Sequence, residues 1–475
     1  MKTRLIAGTA IVAVFLAVFF SLNSPIFAQR FPHRRGFNRP IPITSSDRVY
    51  TADQSSNTVS VINPATNQVL GTIPLGEPRL DGVLGPVDRN QVNVHGLGFS
   101  RDGRYIDVVS VTSNAAQVID TSTNKVVGTY YVGRSPHEAF ISPNGKELWV
   151  AVRGQDYVSV IDLSQGKEVD RIQTTDGPSK VVFSPDGRRA FVNHLFSNVL
   201  DVIGVRNRNI ERRIPIPEEA GGSSDLSISP DGEQVWLGHP GTGKTTVVDA
   251  QQLEVVTVLD SGPRTNHPNF VNTKEGEFAY VTVGDLNQTK VYRRGRPNQV
   301  PKLVDTIKHT GFAPHGIWAS GDYSRVYVAL QKSDSVDVID TSKREVIDTI
   351  QIGQDPQALI FVTGAVPSGT DESANLTKQG LGRRVKNLKI ETRGVEPEYA
   401  IANIRDLGDV DGIDVRLRGL PPNESYTIWA SDGNNADAIL NINSNDKGIV
   451  PEAIAFTKFF ENYDRVILTP KGQQL

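Results

Sequence analysis

No cysteine occurs anywhere in this chain, and its one methionine is the first residue. Disulfides, zinc–thiolate sites, iron–sulfur clusters, blue copper and a C-x-x-C-H haem attachment are therefore excluded, as is a lipidated N-terminal cysteine. Charge of one sign is lacking too: 50 Lys and Arg face 53 acids, for a net charge of −3. That balance speaks against a nucleic-acid binder driven by bulk charge. A long apolar run is also missing. The one apolar stretch, Leu5 to Phe20, is short for a membrane span. With Lys2 and Arg4 before it and "SPIFAQ" after it, it reads as a secretory signal cut after Ala28, the alternative being an uncleaved anchor. Loss of Lys2 and Arg4 leaves 48 bases against 53 acids, a net charge of −5. Export without cysteine suits a bacterial extracytoplasmic protein stabilised by sheet packing.

What the chain does have is repetition. A turn glycine follows a short apolar run at Gly103, Gly145, Gly187, Gly232 and Gly276, at spacings of 42, 42, 45 and 44 residues. Such a period marks propeller blades. Seven copies of a four-strand pattern run from Val49 to Val362. The inner strand of each begins with Pro-His or a near equivalent, as in "PHEAFIS" (136–142) and "PHGIWAS" (314–320). The second includes "LWVAV" (148–152), the third "VSVID" (158–162) and the fourth "VIDTI" (346–350). Short β-branched runs broken by Gly, Pro, Asn and Asp are strand-and-turn chemistry. The chain starts on a second strand at Val49 and ends the repeats on an inner strand near Val362. Blade one thus borrows its inner strand from the far end, a 3+1 latch that leaves no open edge.

Tyr50-Thr51-Ala52-Asp53, Tyr280-Val281-Thr282-Val283 and the segments "VSVIDLSQGKEVDRI" (158–172) and "VDVIDTSKREVIDTI" (336–350) carry a resemblance to the YVTN family of β-propeller repeats. This family is found in surface-layer proteins and YncE-like exported proteins. The resemblance covers about 315 residues and implies a seven-bladed propeller. It says little of function, since the wider superfamily includes haem, quinone and copper enzymes beside binding scaffolds.

The expected architecture is all-β: a signal peptide (1–28), a basic, Pro-rich lead (29–47), a seven-bladed propeller (48–366), a linker (367–380) and a small C-terminal β-sandwich (381–475). The segment "LRGLPPNESYTIWA" (417–430) resembles immunoglobulin- or fibronectin-like sandwiches. The stretch "AIAFTKFFENY" (453–463) fits either a short helix or a further strand.

One loud motif misleads. Gly238 to Thr245, "GHPGTGKT", satisfies the phosphate-loop pattern, but that loop must open a helix, and here a third strand, "TTVVDA", follows. A hairpin turn is expected. In the C-terminal part Asp406, Asp409, Asp411 and Asp414 lie close together, yet their spacing misses the calcium-loop pattern.

Histidine carries more information. His95, His137 and His315 share one register at the start of inner strands, and His267 sits one residue earlier. His194 and His239 end second strands. The start of one strand lies beside the end of its antiparallel neighbour, so all six are expected around one channel mouth. Three neutral imidazoles in reach could hold copper, zinc or iron with open positions. They could equally hydrogen-bond exposed strand ends, or bind an anion or exchange protons. Arg79 in the long insertion 77–93, Arg153, Arg264 and His309 are expected as ligand-binding residues on the same face. Arg134, Glu138, Asp225 and Asn266 are expected near the mouth. Trp149, Trp236, Tyr50, Tyr280 and Tyr327 share a second-strand register and read as packing between blades.

The sequence shows no nucleophile–base pair and no paired carboxylates. The reading it favours is an exported binding scaffold that uses one propeller face for an unknown protein or small-molecule ligand. No nucleic-acid partner and no membrane span after cleavage are expected. The alternative is a His-ligated, metal-dependent redox or hydrolytic enzyme at the channel mouth.

Overall fold

The structure, a computed structural model, describes residues 41–76, 91–382, 384–473 and 475. Arg79 and the expected signal segment lie outside the described residues. Nearly every regular element is a strand.

Seven four-stranded antiparallel sheets are arranged as blades. Blades two to seven are consecutive in sequence, opening at Val94–Phe99, Pro136–Ile141, Pro178–Phe183, Asp225–Ile228, Thr265–Thr273 and Pro314–Ala319. Blade one is composite. Arg48–Asp53, Thr58–Asn63 and Gln68–Pro74 are joined by Pro356–Val362, with Tyr50 opposite Ile360.

The turns explain the regularity. In the tight turn after an inner strand, Ser184 Oγ donates to Asp186 Oδ1 at 2.6 Å, and the Arg188 N–H donates to the same oxygen at 3.0 Å. Gly187 takes the positive φ of 72° that completes this turn. The phosphate-loop look-alike is also a hairpin turn, between the second strand Gln234–His239 and the third strand Lys244–Asp249.

Blades pack through a shared register. Tyr50, Trp149, Phe191, Trp236, Tyr280 and Tyr327 occupy equivalent second-strand positions and are at most 1% exposed. Trp149, for example, packs with Val181 and Val192 of the next blade. Each such ring withdraws roughly 150–250 Å² from water. Blade two breaks the pattern with Asp107, fully buried, opposite Gly98.

Beyond Val366, residues 372–379 run as an ordered strap along blade one, with Thr72 and Thr377 exchanging backbone hydrogen bonds at 2.9 Å. Two further four-stranded sheets then pack face to face around Ile404, Ile413, Val415, Ile428 and Leu468. The stretch 453–463 holds both expected alternatives: strand Ile449–Thr457 runs into the short helix Phe459–Asn462.

Candidate functional site: a histidine belt at one channel mouth

One local device places the histidines. The residue before an inner strand takes a left-handed backbone: Asn93, Ser135, Arg264, Ala313 and Asp355 have φ of 68°, 52°, 56°, 56° and 62°. Such a conformation costs about 1 kcal/mol or more in a non-glycine residue and persists only if held. In four of these five it is held by an Asn or Asp in the second-to-third-strand turn of the preceding blade. Asn57 accepts from the Asn93 N–H, Asn114 from Ser135, Asn287 from Ala313 and Asp334 from Asp355, at 2.8–2.9 Å. Two residues further on come His95, His137, His315 and Gln357.

Close strand approach brings these rings together. A Cβ on Gly96 would lie 2.4 Å from the His137 carbonyl, and one on Gly316 would lie 2.6 Å from that of Gln357. Only glycine fits after His95 and His315. The ring centroids of His95 and His137 are 4.4 Å apart, those of His267 and His315 4.6 Å, and those of His95 and His315 6.5 Å. Four of the six expected histidines thus form one belt.

The other two do not join it. His194 is fully buried within its blade, its Nδ1–H donating to the Val199 carbonyl at 3.0 Å, with Asp201 3.5 Å from Nε2. His239 donates from Nδ1 to the carbonyls of Gly221 and Gly222, and its Nε2 accepts from Thr246. His309, expected as a ligand-binding residue, is tied to Asp337 at 2.9 Å and Thr289 at 2.8 Å with no exposed side chain. The end of a second strand adjoins the start of an inner one, but side chains there turn into the blade. The expectation of six converging imidazoles is corrected to four.

Hydrogen bonding sets the chemical state of the belt. His137 donates from Nδ1 to the Ser179 carbonyl at 3.0 Å, and His315 donates to the Gln357 carbonyl at 2.8 Å. A carbonyl can only accept, so Nδ1 bears the proton and Nε2 remains the basic nitrogen. His95 Nδ1 has no hydrogen-bond partner. Burial pushes the pKa values of His95, His137 and His315 well below the usual imidazole range. Arg153 adds to this for His95 and His137, and His267 and Arg264 add to it for His315. All three are neutral at pH 7.

Beside the belt lies a buried charged group. Lys180 Nζ is 2.8 Å from Asp225 Oδ2 and 3.0 Å from Glu138 Oε2, and His267 Nδ1 is 3.1 Å from Asp225 Oδ2. Burial raises Glu138 to about 7 against the pull of Lys180, and it also raises Asp225. Burial, then Lys180, lowers His267 to about 3. Glu138, Asp225 and His267 form the one set among the described residues with three metal-competent donors in reach of a common ion. The Lys180 ammonium occupies the space between the two carboxylates as their cation, while Glu138 Oε1 and Asp225 Oδ1 have no hydrogen-bond partner. Among the described residues no three imidazoles bring their nitrogens within reach of a common ion.

Arg153 is partly buried at the mouth. Arg264, partly buried too, lies 3.4 Å from Gln331 Oε1 and 3.6 Å from Asp285. Arg134 is exposed. The opposite mouth is a funnel of about 460 Å³ lined by Phe99, Phe140, Phe183, Trp318 and Arg101. Titratable chemistry is thus concentrated at the histidine end.

The family described as "Lactonase, 7-bladed beta-propeller" matches residues 106–346. The chain belongs to this family. The match overturns the non-enzymatic scaffold reading of the sequence, and the enzymatic alternative takes its place. It supports the propeller without singling out the YVTN group. No curated protein matches at the sequence level. Among solved structures, periplasmic gluconolactonase of Pseudomonas aeruginosa is similar with 19% identity and a TM-score of 0.54, over 68% of this chain and 99% of that one. A functionally unknown protein from Desulfotomaculum acetoxidans is 12% identical with a TM-score of 0.54, over 66% and 98%. Hydrazine synthase of Kuenenia stuttgartiensis is 17% identical with a TM-score of 0.50, over 58% and 92%. At such identities the likeness shows the fold alone.

The inner-strand register that locates three of the belt histidines was visible in sequence. The His-Gly pairs at 95–96 and 315–316, and the turn Asn or Asp one blade before four of the inner strands, are further signals in the sequence. The Lys180 pairing carried no signal, because it joins residues 42–45 positions apart across blades.

Proposed function

We propose that this lactonase-family propeller hydrolyses a cyclic ester at the histidine mouth. The observation that carries this reading is the pair His137 and His315. Each is held by a carbonyl through Nδ1–H and keeps Nε2 basic at neutral pH, and Arg153 and Arg264 lie close enough to shift the belt's pKa values.

The chemistry follows from those groups. Nε2 takes a proton from water as the oxygen adds to the lactone carbonyl. The carbonyl π electrons move to oxygen, and a guanidinium stabilises the resulting oxyanion. When the tetrahedral intermediate collapses, the ring C–O bond breaks and the leaving alkoxide takes the proton from the imidazolium. A hydroxy acid is formed and the imidazole is restored. The product is a carboxylate, so cationic groups at the mouth suit both ends of the reaction.

The test is hydrolysis of glucono-δ-lactone followed by pH-stat. His137→Ala and His315→Ala should each lower kcat/KM by about 10²–10⁴-fold, and His194→Ala should not act through chemistry. Wild-type rates equal to spontaneous hydrolysis across a panel of γ- and δ-lactones would end this reading. Elemental analysis of the same preparation checks the metal: stoichiometric copper, zinc or iron lost on His137→Ala would replace the water–imidazole route with a metal route.

The family position leaves room for the YVTN likeness as a description of the repeat unit. Export remains part of the proposal, supported by the basic-then-apolar N-terminus. N-terminal sequencing of protein from a periplasmic extract should begin near Gln29.

A further inference from the structure

The family match ends at residue 346, and the C-terminal sheets lie beyond it. One of those sheets has an unusual outer face. Alternate residues Ala402, Ile404, Ile413 and Val415 enter its own core. The intervening Asn403, Arg405, Asp414 and Arg416 should then face water, yet they are only 1%, 6%, 6% and 5% exposed. Charged side chains are rarely buried without partners. The partners here are propeller turns on the histidine side of the ring.

Arg405 makes the densest contact. Its Nε and Nη2 hold Asp334 at 2.9–3.1 Å, and Nη2 also donates to the Gln331 carbonyl at 2.7 Å. Asp355 lies 3.9 Å from Nη2. Lys332 pairs with Asp414, Asn387 donates to Ser333 Oγ at 2.7 Å, and Arg418 reaches Asp285 at 3.1 Å.

Two hydrogen-bonded paths lead from Arg405 to the mouth. In the first, Asp334 accepts the Asp355 N–H, Asp355 Oδ1 accepts from Gln357 Nε2 at 3.3 Å, and the Gln357 carbonyl accepts His315 Nδ1–H. In the second, Gln331, whose carbonyl Arg405 holds, accepts from Arg264 through its side chain. Both ends are residues of the proposed site.

We propose that Arg405 of the C-terminal sandwich is a positioning residue for the propeller's histidine mouth, fixing the tautomer and orientation of His315 and the placement of Arg264. This rests on the lactone-hydrolysis reading only for its kinetic consequence. The structural consequence stands alone.

The full-length chain labelled with ¹⁵N-histidine provides the test, with His315 assigned by its absence in His315→Gln. Charged and titratable groups near His315 are His267, His95, Arg264 and Asp355, so the spectra are compared at fixed pH 7.5. Wild type should show a single Nδ1–H tautomer for His315. Arg405→Met should move it toward mixed tautomers and raise KM for glucono-δ-lactone at least fivefold, with Arg405→Lys partly restoring both. Gln357→Leu cuts the first path within the propeller and should reproduce the tautomer change with the sandwich still docked. Arg418→Ala removes a different ion pair of the same interface; its partner Asp285 also meets Arg264, so KM is not compared for this variant, and the His315 nitrogen shifts should stay as in wild type.

Unchanged His315 nitrogen shifts in Arg405→Met and Gln357→Leu would overturn the proposal. So would equal effects of Arg418→Ala and Arg405→Met on those shifts, which would reduce Arg405 to simple docking. If wild type hydrolyses no lactone, the reading above fails, and the nitrogen shifts still decide this one.

Discussion

The buried side chains that break the repeat are where single residues matter most. Asp107 stands where six blades place an aromatic ring, and its carboxylate oxygens come within 2.8 Å of where a Cβ on Gly98 would be. Burial raises its pKa well above the usual carboxylate range. A raised carboxyl costs stability once the pH exceeds the unfolded value near 4, because the native group holds a proton that the unfolded chain has released. Asp107→Asn should therefore stabilise the fold at pH 8 by about 1–3 kcal/mol, with the gain shrinking at pH 4.5. Urea denaturation at both pH values measures it, and a loss at pH 8 would show the carboxylate to be paired. The depressed belt histidines have the opposite sign: they stay basic below the ordinary imidazole value of about 6.5. The acid limb of kcat/KM should accordingly lie below pH 6.5, and a limb at or above 6.5 would assign the base elsewhere. The shared inner-strand histidine register was legible in sequence, because repeats conserve position along a strand. Whether a ring turns into the channel or into its blade was not, and His194, His239 and His309 show why: each finds a bonding partner inside its own part of the ring.

At the scale of elements, the unit that matters is the turn plus the strand it feeds. Asn287 has φ of 53° and accepts the Ala313 N–H at 2.9 Å, which fixes the approach to Pro314 and His315. Asn287→Gly keeps the left-handed backbone and deletes only the side-chain acceptor. It should cost about 1 kcal/mol of stability but lower kcat/KM at least tenfold, since a catalytic group displaced by a fraction of an ångström loses much of its effect. Thermal unfolding beside lactone kinetics separates the two. A proportionate loss in both would make the turn a stability feature alone. Strand identity and the register of the aromatic positions were readable from the β-branched alternation. The link between a turn in one blade and a histidine in the next crosses the repeat boundary, where local pattern carries no information.

For the whole molecule, closure is the decisive feature. Strand Pro356–Val362 completes blade one across more than 300 residues of sequence, so its pairing holds the ring shut. Ile360→Pro places a residue without an N–H opposite Tyr50 inside that sheet and should cost about 3 kcal/mol or more. Val127→Pro, in the exposed outermost strand Lys125–Tyr131 of blade two, should cost much less. Equal shifts in urea midpoint for the two would mean that closure adds nothing to cooperativity.

The sequence by itself determined the all-β class and the seven-bladed propeller, because strand alternation, turn chemistry and a period of about 42 residues are local properties repeated along the chain. Only the tertiary structure decided which histidines meet, that Lys180 fills the place between Glu138 and Asp225, and that the C-terminal sandwich reaches the mouth through Arg405. Those contacts join residues that are distant in sequence, and they depend on the curvature of the ring and the direction of each side chain, neither of which a one-dimensional pattern encodes.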